Sequence, residues 1–460
     1  MPRKTVHAAA RSFGSDSIVL DRYSIIPAVA CIYALIVHPI LISACSMNDM
    51  ACLSGAGSYS KAFWPILFLV ALASILLNRA RFTLSTNVVW LLICITFAGA
   101  SVAWAFRPEL SLIRYAQQIM IVTAIILPAL MAQRRVDMTR LLFACFALAV
   151  IINCLYLFGP PRTFVKDAIK GYTGYFQGKN YMGGFAAVAL LLSLHEMLYP
   201  GRRRLFGVLL GIPSALLLYL SNSKTALGLA ILAPMLAAFA VTLRKTVRVS
   251  PVVIPIAIVS VYMILATVLG INVYKISYLL YGDSTFTGRR LIWEFAQFEI
   301  DRRPLLGWGY QSFWLVGPDA PSVVEAPAWV KLMPNAHNGY LDATLEMGYV
   351  GFALLLAYLF TTLHAVRRLI DYDQRRGWIV LSLAFFILMS NGLESLWLRG
   401  FEFLWIVFLF LTAEVGRIGR PLPFPGPIHH YRSMPHPGRM RSASPRPRVA
   451  SPLSKASAAF

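Results

Sequence analysis

Acidic residues are scarce: the 460-residue chain holds 20 Asp and Glu against 42 Lys and Arg, and charges of both signs make up only 13% of it. So thin a polar coat excludes an ordinary soluble domain, in which about a quarter of residues are charged. Cysteine is also rare. Cys31, Cys94, Cys145 and Cys154 fall inside apolar runs, and no paired Cys/His spacing marks a zinc site, so neither metal nor cofactor is expected. Cys45 and Cys52 share the first outward connection, where an oxidising periplasm would permit a disulfide as readily as two free thiols. No self-similarity links the two halves, which removes the repeat signature of many carriers. A cleavable leader pattern is missing too: the first long apolar run follows residues 1–23, which carry Arg3, Lys4, Arg11 and Arg22.

What the chain has in abundance is apolar surface, with 58% hydrophobic residues and a mean hydropathy of +0.65. Runs long enough to cross ~30 Å of hydrocarbon as helices recur throughout. They fall near 25–42, 63–77, 87–106, 112–132, 141–158, 181–198, 205–220, 225–243, 252–270, 339–363, 378–391 and 401–413. The expected fold is therefore an all-α polytopic membrane protein of about twelve transmembrane helices. Its parts are a cytoplasmic segment 1–24, a membrane domain 25–415 with one large periplasmic loop at 271–338, and a disordered basic tail at 416–460.

The formal charge of +22 is explained by where it sits. On the side of the two termini fall 27 of the 42 Lys and Arg and 7 of the 20 acids, and alternate short loops carry pairs and triplets such as Arg134/Arg135/Arg140 and Arg202 to Arg204. This is the positive-inside pattern, which places both termini in the cytoplasm. The Pro/Ser/Arg-rich tail beyond Arg417 cannot build a core, and reads as lipid-attracted in preference to a nucleic-acid arm.

Cations on the opposite side run against that pattern and need a reason. GYTGYFQGKNYMGG (171–184) leads Lys179 and Asn180 into a helix start, and SNSKTALG (221–228) does the same for Lys224. Positive charge at a helix amino terminus has the wrong sign for the dipole unless an anion is present; the alternative is interfacial snorkelling. In TGRRLIWEFAQFEIDRRPLLGWGYQSFW (287–314) the spacing predicts an amphipathic helix over Gly288 to Asp301, with Arg289 and Arg290 at its start, to bind phosphate or to pair with Asp283 or Glu294. NAHNGYLDATLEMGYVG (335–351) places His337 and Asn338 before a membrane helix that carries Asp342 and Glu346 one turn apart. An imidazole at that mouth can take a proton from a sugar hydroxyl near neutral pH. Trp308 and Tyr310 suit sugar stacking or interfacial anchoring equally. Glu394, Arg399 and Glu402 in the last outward turn fit either a structural ion-pair group or a sugar groove.

Together these four segments, with their GR, PLLGWG and HNGYL elements, resemble the superfamily of O-antigen ligases and O-antigen or exopolysaccharide polymerases, over roughly 171–351. The resemblance implies a metal-independent, inverting glycosyltransferase of the bacterial inner membrane, acting at the periplasmic face on an undecaprenyl-diphosphate-linked oligosaccharide. It implies His337 as base with Asp342 and Glu346 as further catalytic candidates, and Arg289, Arg290, Lys224 and Lys179 as diphosphate ligands. Asn338, Trp308, Tyr310 and Asn180 would then contact acceptor or sugar. In relatives the positions of Lys179 and Lys224 are often arginine, and lysine offers a point charge in place of a fork. The acceptor is a lipid-linked repeat or lipid A core, and a flippase and a chain-length regulator are expected partners. The long 288–314 run looks more like polymerases than ligases.

Two other classes remain. A transporter or flippase shares the twelve-helix plan, but carriers gather ionisable groups near mid-membrane, whereas here the clearest intramembrane charge, Arg114, lies near the outer end of its helix and the other polar groups gather in outward loops. A cytoplasmic nucleotide-sugar transferase would use Asp371 and Asp373 to hold a metal, although this short motif sits in a loop crowded with arginines.

Overall fold

The computed structural model describes residues 19–43, 58–78, 84–133, 135–157, 171–271, 274–275, 278 and 288–418, and among them there is no strand. The Cys45/Cys52 pair and the basic tail lie outside the described residues. The helices are α1 Arg22–Ser43, α2 Ser58–Asn78, α3 Thr86–Ala100, α4 Pro108–Met131, α5 Met138–Leu157, α6 Lys179–Met197 and α7 Arg202–Leu220. They continue with α8 Lys224–Val247, α9 Val253–Val268, α10 Arg289–Arg302, α11 Gly339–Tyr372, α12 Gln374–Ser390 and α13 Phe403–Ile418. A helix thus occupies each of the twelve apolar stretches, and α10 is the amphipathic helix expected in the long connection. By length and composition, seven of these helices are able to cross a membrane: α1, α3, α4, α5, α7, α8 and α11. The chain is an all-α, multi-pass membrane protein.

A helix that is apolar all round must be enclosed by others or by lipid. Here α13 is buried from Phe403 to Arg417, and α6 and α12 are nearly so. By contrast α7, α8 and α9 present Leu209, Ile212, Ile231, Met235, Phe239, Val259 and Ile264 outward. In water such a surface would be an aggregation site; in hydrocarbon it matches its solvent. Because lipid is as apolar as leucine, helices meet there through close packing and small residues. Accordingly α8 buries Ala226, Ala230, Ala233, Ala237 and Ala240, a stripe spaced by fours and threes, and packs against α6 and α12.

Contacts sort the connections into two ends. At one end the short basic loops carry a buried network: Arg203 Nη2 to Glu196 Oε1 at 2.6 Å, Arg376 Nη2 to Asp137 Oδ1 at 3.5 Å and also to Glu414, and Arg417 Nη2 to Glu414 Oε2 at 2.6 Å. Arg417 further donates to the Val136 carbonyl at 2.7 Å, so α12, α13 and the α4–α5 turn are tied together. Asp371 and Asp373 belong to this end and are occupied, the first by a fork from Arg244 at 2.6 and 3.0 Å, the second by capping α12.

The other end is built around a break in α11. At Gly348 the backbone leaves the helix (φ 66°, ψ −175°), freeing polar groups that cannot be left bare. The PLLGWG segment fills the break: Trp308 N–H donates to Leu345 O at 2.9 Å, Gly309 N–H to Glu346 O at 2.8 Å, and Tyr349 N–H to Pro304 O at 2.7 Å. A Cβ at Gly348 would lie 2.1 Å from the Leu305 carbonyl oxygen. Gly348→Ala is therefore expected to cost roughly 2–4 kcal/mol through left-handed strain and overpacking. The check is the melting midpoint of the detergent-purified protein; an unmoved midpoint would mean that residues 304–309 are not seated in the break. From the far side the α3–α4 turn clamps the same segment: Ser111 Oγ donates to Tyr310 O at 2.6 Å, Phe106 N–H to Trp308 O at 3.0 Å, and Arg114 to Gln311 O. The cation that looked stranded in a span is a fastener for the loop.

Candidate functional site

Three helices at the loop-bearing end open on a cation: Lys179 begins α6, Lys224 begins α8 and Arg289 begins α10. The first two starts are held close because α6 has no side chain at Gly183, where a Cβ would lie 2.6 Å from Ser223 Cβ. Ser223, the cap of α8, donates through Oγ to Asn180 Oδ1 at 3.2 Å. Asn180 Nδ2 in turn donates to Glu394 Oε1 at 3.0 Å, and Arg289 Nη2 reaches the same oxygen at 3.0 Å. The other oxygen, Oε2, lies 3.3 Å from His337 Nδ1. One carboxylate thus joins α6, α10 and the segment before α11. Among the described residues Lys179 and Lys224 have no acidic partner, and Lys224 is exposed.

His337 is held in the left-handed region at φ 49°, an uncommon conformation for a residue with a side chain and one that concentrates at functional sites. Its surroundings fix it there. Its N–H donates to Asn335 Oδ1 at 2.9 Å, Trp293 Nε1 donates to Ala336 O at 3.0 Å, and Ala336 N–H is received by Asp342. Asn338 caps α11 with its side chain and donates from its backbone to Ser395 Oγ at 3.1 Å. Gly339 N–H is shared by the Asn391 and Glu394 carbonyls, which stitches the HNG segment to the 391–402 turn. The imidazole remains partly open to solvent.

Beside this cluster lies a small, mostly apolar open cleft, lined by Tyr181, Phe386, Leu396, Phe403 and Leu404 together with Asn180, Ser223, Thr225 and Glu394. Burial alone would raise the Glu394 carboxyl. The His337 hydrogen bond, the Arg289 charge and the Asn180 amide outweigh it and hold the group below its ordinary value. Glu394 is therefore an anion at neutral pH.

A second ionic group sits deeper. Arg399 Nη2 donates to Glu346 Oε1 at 2.7 Å and lies 3.4 Å from Asp342 Oδ2, while Asp342 Oδ1 accepts from Trp314 Nε1 at 2.8 Å. Burial would lower the Arg399 guanidinium, but the two carboxylates prevail and its pKa is raised. Glu346 is buried against this arginine, 5% exposed. Arg290 is directed elsewhere, to Glu294 at 2.7 Å. Trp308 and Tyr310 are buried, the indole donating to Glu299 O at 3.1 Å and the phenol to Leu398 O at 2.6 Å, so both pack the loop onto the bundle. Of the residues singled out in sequence, His337, Asn338, Arg289 and Asn180 meet, with Lys179 and Lys224 as chain neighbours of members of the cluster. Glu394, which joins them, was left in the sequence between a structural ion-pair group and a sugar groove.

Residues 206–356 match the O-antigen ligase family. The match takes in Lys224, Arg289, Arg290 and His337 and ends before Glu394. The exopolysaccharide production protein ExoQ of Rhizobium meliloti (strain 1021) is 26% identical over 323 residues, 68% of this chain and 71% of that protein. Two shorter matches are proteins provisionally named polysaccharide ligases. That of Rickettsia felis is 24% identical over 113 residues, and that of Rickettsia conorii 28% over 117; each covers 24% of this chain and 28% of the relative. The resemblance read from the four motifs therefore holds, and relates the chain to enzymes and proteins of polysaccharide ligation and production.

Proposed function

We propose that the chain polymerises undecaprenyl-diphosphate-linked oligosaccharide repeats by inverting glycosyl transfer at the periplasmic face of the inner membrane. The observation that carries this reading is Arg289, the cation opening α10, joined through Glu394 to a partly open histidine and to Asn180 of α6, with Lys179 and Lys224, which have no acidic partner among the described residues, next in the chain to Asn180 and Ser223. A departing lipid diphosphate gathers negative charge, which Lys179, Lys224 and Arg289, aided by the helix amino termini, would receive. Arg290, paired with Glu294, takes a minor part.

His337 is the base. With the proton on Nδ1 the ring donates to Glu394 and leaves Nε2 free to accept a proton. The acceptor hydroxyl oxygen attacks the anomeric carbon from the face opposite the diphosphate; its proton passes to Nε2, and the anomeric carbon–oxygen bond breaks with the electron pair leaving on undecaprenyl diphosphate. The apolar lining of the cleft, with Phe386, Leu396, Phe403 and Leu404, suits the lipid. Glu346, neutralised by Arg399, supports the site in place of acting in it. The end with the buried arginine network is the cytoplasmic one by the positive-inside argument, which puts the cleft outside.

A second reading, ligation of the polymer to lipid A core or another final acceptor, is favoured by the family description. Both are tested in a deletion strain complemented with wild type or Arg289→Ala. Accumulation of single lipid-linked repeats without polymer is expected. Long lipid-linked chains that never reach a final acceptor would establish ligation instead, and unchanged profiles would dispose of both.

A further inference from the structure

Glu394 is an odd neighbour for a site that must hold a diphosphate, because it places a negative charge on the arginine that the phosphate needs. The division of its two oxygens suggests why. Oε1 takes both of its donors, Arg289 Nη2 and Asn180 Nδ2 at 3.0 Å each, from helices that open on cations, whereas Oε2 serves His337 alone at 3.3 Å. A carboxylate and a phosphate present the same chemistry to a guanidinium, charge-assisted acceptance of N–H groups. Geometry adds a second point. Glu394 and Asn180 line the cleft, and the Glu394 side chain is about a quarter exposed, so an incoming anion can reach the carboxylate that holds Arg289.

We propose that Glu394 is a built-in competitor for the diphosphate: the incoming phosphate takes Arg289 and Asn180 from Oε1, and Glu394 is left to position His337 alone. This deepens the reading above and rests on it. The 391–402 turn can release one oxygen without losing its place, since it is anchored by Asn391, whose Oδ1 accepts from Leu396 and Trp397 N–H at 3.2 and 3.1 Å, and by the Gly339 N–H bonds. The imidazole is shared with an arginine-bound carboxylate until the donor arrives, and has that carboxylate to itself afterwards. Donor binding and orientation of the base become one event, so that the base is aligned when there is a lipid-linked sugar to transfer onto its acceptor and not to water. Glu394 acts through His337 and Arg289, and is a positioning residue.

The test is binding of undecaprenyl diphosphate to the detergent-purified full chain by titration calorimetry, together with polymer yield in the deletion strain. Glu394→Gln removes the competing charge and keeps the side-chain shape. It is expected to tighten binding about three- to tenfold while polymer yield falls, a split that a merely structural residue does not produce. In the double variant with Arg289→Ala the tightening should vanish, because there is no arginine left to release. Should Glu394→Gln not survive purification, Glu394→Asp, which withdraws the carboxylate by one methylene, is expected to tighten binding in the same direction. Unchanged or weaker binding in these variants, with Arg289→Ala still weakening it, would overturn the competition and leave the diphosphate site standing. If Arg289→Ala also leaves binding unchanged, the diphosphate reading falls, and this inference with it.

Discussion

His337→Ala is expected to reduce polymer synthesis by about 10²- to 10⁴-fold, the usual loss on removing a general base. The protein should accumulate in the membrane normally, because the side chain's one close polar contact is with Glu394 and its ring is partly open to solvent. The folding burden of the segment falls on the backbone bonds of Ala336, Asn338 and Gly339. His337→Gln should fall between, since an amide can hold the Glu394 contact but cannot accept the proton. Gel analysis of lipid-linked intermediates is the measurement; a His337→Ala strain with wild-type polymer would remove the imidazole from the chemistry.

Arg399→Ala carries the largest expected stability effect. It would leave Asp342 and Glu346 buried with their countercharge gone, and breaking a buried pair from one side costs roughly 3–5 kcal/mol. The damage should spread to the HNG segment, because Asp342 also holds Ala336 N–H and Trp314 Nε1. Adding Glu346→Gln to Arg399→Ala is expected to recover part of the loss, as one of the two orphaned charges disappears. Thermal unfolding of the single and double variants in the same detergent decides it. A single variant as stable as wild type would show that the carboxylates are neutral and that no ion group exists there.

Much of this was legible in the sequence, for identifiable reasons. Apolar runs are long-range signals that survive without tertiary information, so each of the twelve stretches contains a helix, and the 288–301 helix appeared within one residue at either end. Arg289 and His337 were visible because a misplaced charge and a histidine at a helix mouth stand out locally. The roles of Trp308 and Tyr310 were not. Whether an indole stacks on sugar or plugs a gap depends on the break at Gly348, and nothing in a glycine's immediate neighbours announces a broken helix. The separation of Arg289 from Arg290 follows from a rotation of about 100° per residue, which aims one at the 391–402 turn and the other at Glu294. Glu394 was undecidable because its partners come from three places more than 50 residues distant in the chain, Asn180, Arg289 and the segment of His337. Only the assembled bundle gives that acid its neighbours.

The break in α11 bears on biogenesis. The carbonyls of Leu345 and Glu346 find their donors in Trp308 and Gly309, residues translated before α11 itself. A span that depends on a strip of the preceding connection cannot mature by itself. Maturation of this segment is a rendezvous between a helix and the connection that precedes it, and the site's histidine, nine residues upstream of Glu346, is set in place only when both have arrived.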